Sequence, residues 1–461
     1  MSRPSEAGPR GPAEAPAELL APSPHGRTWA RSVVEIVARP AVAVGLATAG
    51  IVLLALVGAG APNDHTLNTR IGPGWPGMLP GIGSTVLVYP ALVLSSLGLA
   101  GMLAACGRGW RPSPRRLFGA GLVAVLVVVN LTPVGSSDVA SYAAYGRIAA
   151  LGGDPYTTTP DELGGTYADL VGSAWRHAPS VYGPVATWFQ EAAAMVGGSE
   201  ARTTIWLLML ANGAMFLATG YVLLRISDDP VRAALMWVAN PLLIVLLVGG
   251  GHLDTVVAAL AACTVHCARR SGRPRQDVLV GVLAGLACGV KISAVLVGAA
   301  LVGALLLRHR WRAAARTAGA GVLTLVVLYG RNWPHVAQSL SSASSMVSSP
   351  SLWATLRPLG EAVFGPRGTS AVITVVWPVL TVALARWLHG RFPPGAPSFR
   401  TMPFALSFAW VLVAPWSMPW YGATAWATAA QFLRGPLLRW LLLTTTALAM
   451  VHMNGGHAWS G

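Results

Sequence analysis

The sequence predicts an all-α polytopic membrane protein, and three observations carry that reading. Hydrophobic residues make up 54% of the 461 positions and charged residues only 11%, where a soluble domain carries about 25% charge. Apolar stretches of about 20 residues, the length that crosses a bilayer, recur along the chain. The basic residues, 32 against 17 acidic for a formal net charge of +15, fall in short loops between those stretches. That is a pattern of membrane topology and not of nucleic-acid recognition.

Residues 1–38 are rich in Pro, Ala, Gly and Glu and read as a disordered cytoplasmic tail without a cleavable signal. Everything from 39 to 461 reads as one polytopic domain without internal repeats. The first span covers Pro40 to Gly60, and Arg27, Arg31 and Arg39 before it place the N-terminus inside. A Gly/Pro-rich external loop follows. A span from Gly83 to Cys106 returns to the basic loop GRGWRPSPRR, and a third, Leu117 to Pro133, leads out again. Residues 135–200 form the first large external loop, where acids such as Asp154, Asp161, Glu162 and Asp169 outnumber bases. Its segments SYAAYGRIAALGG and VATWFQEAAAMVGG read as amphipathic helices on the membrane surface.

Spans resume at Arg202, with arginine-rich turns at RISDDPVR, CARRSGRPRQ, RHRWRAAAR and RWLHGRFPPGAPSFR. Two short apolar runs flank Lys291 and form an out-and-back pair with it at the outer turn. A Ser-rich second external loop occupies 332–369, and the motif PWSMPWY precedes the last spans. The count comes to about thirteen spans, N-terminus in and C-terminus out. The four cysteines lie in or beside apolar runs. Cys263 and Cys267, at i and i+4, lack a second cluster to complete a metal site, so packing explains them better.

Parity then gathers the chemistry on one face: the Asp138 loop, SVYGP, GGGHLD, Lys291, the Ser-rich loop and PWSMPWY. The inner face offers arginines and prolines. An acid next to hydrocarbon is costly without a partner or a task, and Asp138 reads as a general base or as the N-cap of the helix it opens, two roles that do not exclude each other. Arg147 is the nearest cation along the chain. Lys291 is the sole lysine and either binds an anion or snorkels to the interface. His252 and Asp254 either bind sugar hydroxyls or phosphate, or shape a structural turn; a metal needs more ligands than they supply. Tyr182 sits among turn formers and suits a sugar face or an interface.

DVASYAAYGRIAALGGDPY, APSVYGP, the Gly-rich turn with His and Asp, the lone Lys between short runs, and PWY together resemble the actinobacterial polyprenol-phosphate-mannose-dependent α-1,6-mannosyltransferases. The resemblance covers roughly residues 135–421. It implies a GT-C-type integral-membrane glycosyltransferase, a bundle of about thirteen transmembrane helices with its active site outside the plasma membrane. It implies Asp138 as catalytic base, a polyprenyl-phosphate mannose donor, and a glycan or lipoglycan acceptor. The family's turn often reads His-Asn-Asp, and here it is His252-Leu253-Asp254. Lys291, with Arg331 or Arg147, is the expected contact of the leaving phosphate. Tyr142, Tyr145, Tyr156, Tyr182, His252 and Asp254 are the expected sugar contacts. No cofactor is certain, a divalent metal is left open without being indicated, and nucleic acid is not an expected partner. The competing readings are a lipid or sugar transporter, which would show paired repeats, another polyprenyl-phosphate-sugar transferase, and a non-catalytic scaffold.

Overall fold

Apolar length makes the helices of this chain, and loops of Gly, Pro and Arg end them. The computed structural model describes residue 32 and residues 34–60, 81–330, 332–344, 346–348 and 351–453. The expected tail, apart from its last residues, and the first external loop (61–80) lie outside the described residues, as does Arg331. Every regular element among the described residues is helical. The longer ones are α1 (Pro40–Gly60), α2 (Gly81–Gly107), α3 (Pro114–Val128), α4 (Asp138–Ala150), α5 (Pro184–Gly197) and α6 (Ala201–Ile226). There follow α7 (Pro230–Gly249), α8 (Asp254–Ala268), α9 (Pro274–Val290), α10 (Val295–Leu306) and α11 (Trp311–Tyr329). The last are α12 (Trp333–Ser344), α13 (Leu352–His389), α14 (Ser398–Val413), α15 (Ala423–Ala429) and α16 (Pro436–His452).

Five helices among the described residues are long and apolar enough to cross a membrane: α1, α2, α6, α7 and α13. A sixth arises if α11 and the following helix, bent by 99°, count as one span. Shorter apolar helices complete the bundle where the sequence suggested further spans. Two of the apolar runs are also punctuated internally. Lys291 takes an extended conformation (φ −150°, ψ 125°) that separates α9 from α10. Asn240, fully buried, breaks α7 by accepting the N–H groups of Leu242 and Leu243 at 3.1 and 3.2 Å. The second half of α7 is wound as a π-helix over Ile244–Gly249, a local form that recurs at functional sites.

Two parts of the first large external loop (135–200) differ from expectation. α4 is not a surface helix. Val139 through Gly146, and Ile148, are all buried, because the helix is sandwiched between α5 and α6. Gly146 permits this: a Cβ there would stand 2.2 Å from the Gln190 carbonyl oxygen of α5. α5 is amphipathic in the inverted sense, with Thr187 and Gln190 buried while Trp188, Phe189, Met195 and Val196 are exposed. That apolar outer face suits lipid. The region 332–369 is also largely helical. α13 starts at Leu352 and breaks at Gly365, whose φ of +68° favours glycine, with Pro366 opening the continuation.

Hydrogen bonds between connecting segments define two ends of the bundle. At one end Thr132 N–H donates to Gly58 O, Val134 N–H to Gly249 O, Gly183 N–H to Val290 O, and Ser348 N–H to Pro415 O. At the other, Arg400 pairs with Asp228, Arg434 with Asp229 at 3.3 Å, and Arg316 with the buried Asp277 at 2.7 Å. The first end gathers loops rich in Gly, Ser and Tyr, and the second gathers arginine-rich turns.

Candidate active site

The Gly/Tyr-rich end carries the site. Asp138 is the first residue of α4, and its backbone N–H donates to Ser136 Oγ at 3.1 Å. Its carboxylate does not cap the helix. It faces His252 instead, Oδ2 lying 3.4 Å from His252 Nδ1, and it accepts a long 3.5 Å contact from the Tyr142 hydroxyl. The cap reading is therefore not the observed one: the carboxylate is turned towards His252 and Tyr142. Burial pushes the Asp138 carboxyl up, but His252, Lys291 and Ser136 more than offset this and hold it below the ordinary value. The positive N-terminus of α4 acts in the same direction.

His252 is fully buried and stacks on Trp420, centroids 3.7 Å apart and planes 13° apart. The glycines before it are required. A Cβ on Gly250 would stand 2.5 Å from His252 Nε2, and Gly251 has φ +67°. Two residues on, Asp254 opens α8 without capping it and binds Lys291, Nζ to Oδ1 and Oδ2 at 3.0 and 2.9 Å. The Lys291 and Asp254 side chains are only 13% and 8% exposed. Lys291 Nζ also lies 3.8 Å from the Tyr421 ring centroid. Lys291 thus neither snorkels nor stands free: its ammonium is held between a carboxylate and an aromatic face.

Tyr182 completes the wall, edge-on to Tyr142 with centroids 4.9 Å apart. Burial, with Asp138 nearby, pushes its hydroxyl well above the ordinary value, so it remains a neutral hydrogen-bonding group. Its loop is locked against the Lys291 segment, since a Cβ on Gly183 would meet Gly289 O at 2.2 Å and the Tyr329 hydroxyl at 2.4 Å.

Of the residues singled out by sequence, Asp138, Tyr142, Tyr182, His252, Asp254 and Lys291 thus come together from four separate segments. Others do not join them. Tyr145 donates to Ala178 O at 2.9 Å, one helical turn along. Tyr156 bonds Thr187 and packs with Tyr329 and Val336 in a separate cluster. Arg147 lies over the Tyr167 ring, nine residues and about 13 Å of helix rise from Asp138. The helix that begins with Asp138 thus carries Arg147 away from the group around that carboxylate. Trp420 and Tyr421 are contacts that the sequence marked only as an aromatic motif. Asp154, bonded to His335 Nδ1 at 2.8 Å, ties the first loop to α12 and carried no sequence signal. Among the described residues no three His, Cys, Asp or Glu side chains gather to hold a metal.

The arrangement offers an ionised carboxylate beside an imidazole, an ammonium nearby, and an aromatic rim. It is suited to taking a proton from a hydroxyl and to holding an anion.

A family model described as α-(1→6)-mannopyranosyltransferase, N-terminal domain, matches residues 42–308. α-(1→6)-Mannopyranosyltransferase B of Corynebacterium glutamicum is 28% identical over 46% of this chain and 40% of its own length. α-(1→6)-Mannopyranosyltransferase A of the same organism is 27% identical over 30% of this chain and 29% of its own. An α-(1→6)-mannopyranosyltransferase of Mycobacterium tuberculosis is 31% identical over 32% of this chain and 26% of its own. The matches thus span less than half the length of these relatives. No solved structure matches.

Proposed function

Because the chain belongs to the α-(1→6)-mannopyranosyltransferase family, we propose that it transfers a mannosyl residue from a polyprenyl-phosphate donor to a glycan or lipoglycan acceptor. The transfer takes place on the outer face of the plasma membrane, inverts the anomeric centre and forms α-1,6 linkages. The observation that carries the reading is the meeting of Asp138, His252, Asp254, Lys291, Tyr182 and Tyr421 at one end of the bundle. The arginine-rich turns at the opposite end support an external site by the positive-inside rule.

In this account the acceptor hydroxyl oxygen attacks the mannose anomeric carbon while Asp138 takes its proton. The bond from that carbon to the phosphate oxygen breaks, and the polyprenyl phosphate leaves with the electron pair. Attack opposite the leaving group converts a β-linked donor to an α-linked product. The lowered proton affinity of Asp138 keeps it ionised and ready to accept. Charge developing on the phosphate needs a cation, and Lys291 supplies it by sharing its ammonium with Asp254, assisted by Arg331. The Asp254 carboxylate keeps the ammonium charged and aimed until the phosphate arrives. Tyr142 and Tyr182 line the place of the sugar, while Trp420 and Tyr421 hold His252 and Lys291 in position for it. The prenyl chain lies in a groove between spans open to the outer leaflet, within the GT-C-like bundle of about thirteen spans.

The test is an assay of membranes supplied with radiolabelled polyprenyl-phosphate mannose, comparing wild type with Asp138→Asn. Loss of label transfer at normal expression is expected. Undiminished transfer by the variant removes Asp138 as the base.

A further inference from the structure

At the arginine-rich end, α13 finishes in a cavity of about 490 Å³ lined by Ala383, Arg386, Trp387, His389, Gly390 and Arg391. Arg391 lies 4.1 Å from the Trp387 ring centroid, and Trp387 stacks on Trp440 of α16 with centroids 5.6 Å apart. His389 is a fixed wall, its Nδ1 lying 3.0 Å from Thr401 Oγ1. The charges here are not compensated. The carboxylates of Asp228, Asp229 and Asp277 already hold Arg400, Arg434 and Arg316. Arg386 and Arg391 make no ion pair among the described residues.

What lies above the cavity indicates the occupant. Val375, Val379 and Val382 are 68%, 64% and 62% exposed. With Arg386 they follow i, i+4, i+7, i+11 spacing, which puts all four on one face of α13. Leu443, also exposed, continues the apolar surface on α16 beyond Trp440. An apolar stripe of this kind ending at two guanidinium groups and an interfacial Trp pair matches an acyl chain joined to an anionic head.

We propose that this cavity is a binding site for a phosphate-headed anionic lipid. The headgroup phosphate lies between Arg386 and Arg391, the Trp387–Trp440 pair sits at the level of the glycerol, and an acyl chain runs along the valine stripe. Guanidinium forks suit phosphate oxygens. The apolar stripe selects a lipid over a free ion. The site stands at the other end of the bundle from Asp138 and is independent of the transfer chemistry.

The experiment uses native mass spectrometry of the full chain, delipidated in detergent and titrated with phosphatidylglycerol or phosphatidylcholine. Wild type is expected to hold phosphatidylglycerol in preference to phosphatidylcholine. Arg386→Gln/Arg391→Gln is expected to weaken the phosphatidylglycerol affinity about thirtyfold, on the scale of two lost guanidinium–headgroup contacts. Arg275→Gln/Arg308→Gln removes the same charge from the same end and should leave that affinity unchanged. Val379→Asn should weaken it without altering the thermal midpoint, and inorganic phosphate should not compete. Equal affinity for both lipids, equal loss in both arginine variants, or displacement by inorganic phosphate each overturns the proposal.

Discussion

Replacing Lys291 by Met tests the ion pair on which the site is built. The substitution keeps the length of the side chain and removes its charge. Asp254 is then left as a carboxylate 8% exposed, without the ammonium that satisfies both of its oxygens at 3.0 and 2.9 Å. Breaking a buried pair from one side costs about 3–5 kcal/mol. The low exposure of both partners leaves little solvent screening to discount. The contact with Tyr421 is lost as well, adding about 1–2 kcal/mol for a desolvated cation over a ring. Asp254→Asn/Lys291→Met removes both charges and recovers most of the first loss, because no unpaired charge remains buried. Thermal unfolding midpoints of the purified variants give the stability order wild type, double, single. Label transfer read on the same preparations separates folding from chemistry: the double variant is folded yet transfers at least about a hundredfold more slowly, since a positioned cation for the leaving phosphate is gone. A single variant as stable as wild type would refute the pair, and a double variant with full transfer would refute the role of Lys291.

Further outcomes follow from the same geometry. Asp138→Asn lowers the transfer rate by about 10²–10⁴-fold, the range of a lost general base, with no comparable fall in thermal midpoint. The Asp138 carboxyl is held below its ordinary value, so its contribution is present at neutral pH and lost only as pH falls through that lowered value. The acid limb of the rate profile should therefore lie below the ordinary carboxylate range. His252→Gln removes the imidazole that lowers the carboxyl and should move that limb upward. Gly183→Ala drives a methyl into Gly289 O and the Tyr329 hydroxyl. It should cost about 1–3 kcal/mol by overpacking, read as a lower thermal midpoint, together with slower transfer because the Tyr182 loop must move.

Much of the site was legible because its signals are local and costly. An acid after an apolar run, a solitary lysine between short apolar runs, and a His-x-Asp turn after three glycines each stand out against hydrocarbon. Loop parity then assigned them to one end of the bundle, where the structure brings them together. The pairings were not legible. Nothing in the spacing says that Asp254 holds Lys291, or that His252 turns to Asp138, because those contacts join α8 to the α9–α10 break and the α7 turn to α4. Arg147 lies apart from that group for a related reason. Proximity in sequence to Asp138 suggested proximity in space, and the helix between them separates the two. The burial of α4 was hidden too, since its Ala, Gly and Tyr pattern reads equally well on a surface or between helices, and only the close approach of Gly146 to α5 decides it. The span count was less legible: five helices among the described residues are long and apolar enough to cross, while α8, α10 and α14 belong to shorter apolar helices.

The sidedness of the bundle is tested most directly by thiol labelling in intact cells with a membrane-impermeant maleimide, in a background whose four cysteines are replaced. Ser173→Cys lies at the exposed start of the short helix Ser173–Arg176, beside Gly172, whose Cβ position is 3.2 Å from Ser137 Oγ. Arg275→Cys lies in the first turn of α9, at the opposite, arginine-rich end. Labelling of position 173 in intact cells, and of position 275 only after permeabilisation, is the result expected. Labelling of 275 from outside with 173 protected would put the Asp138 site on the cytoplasmic face and contradict the account.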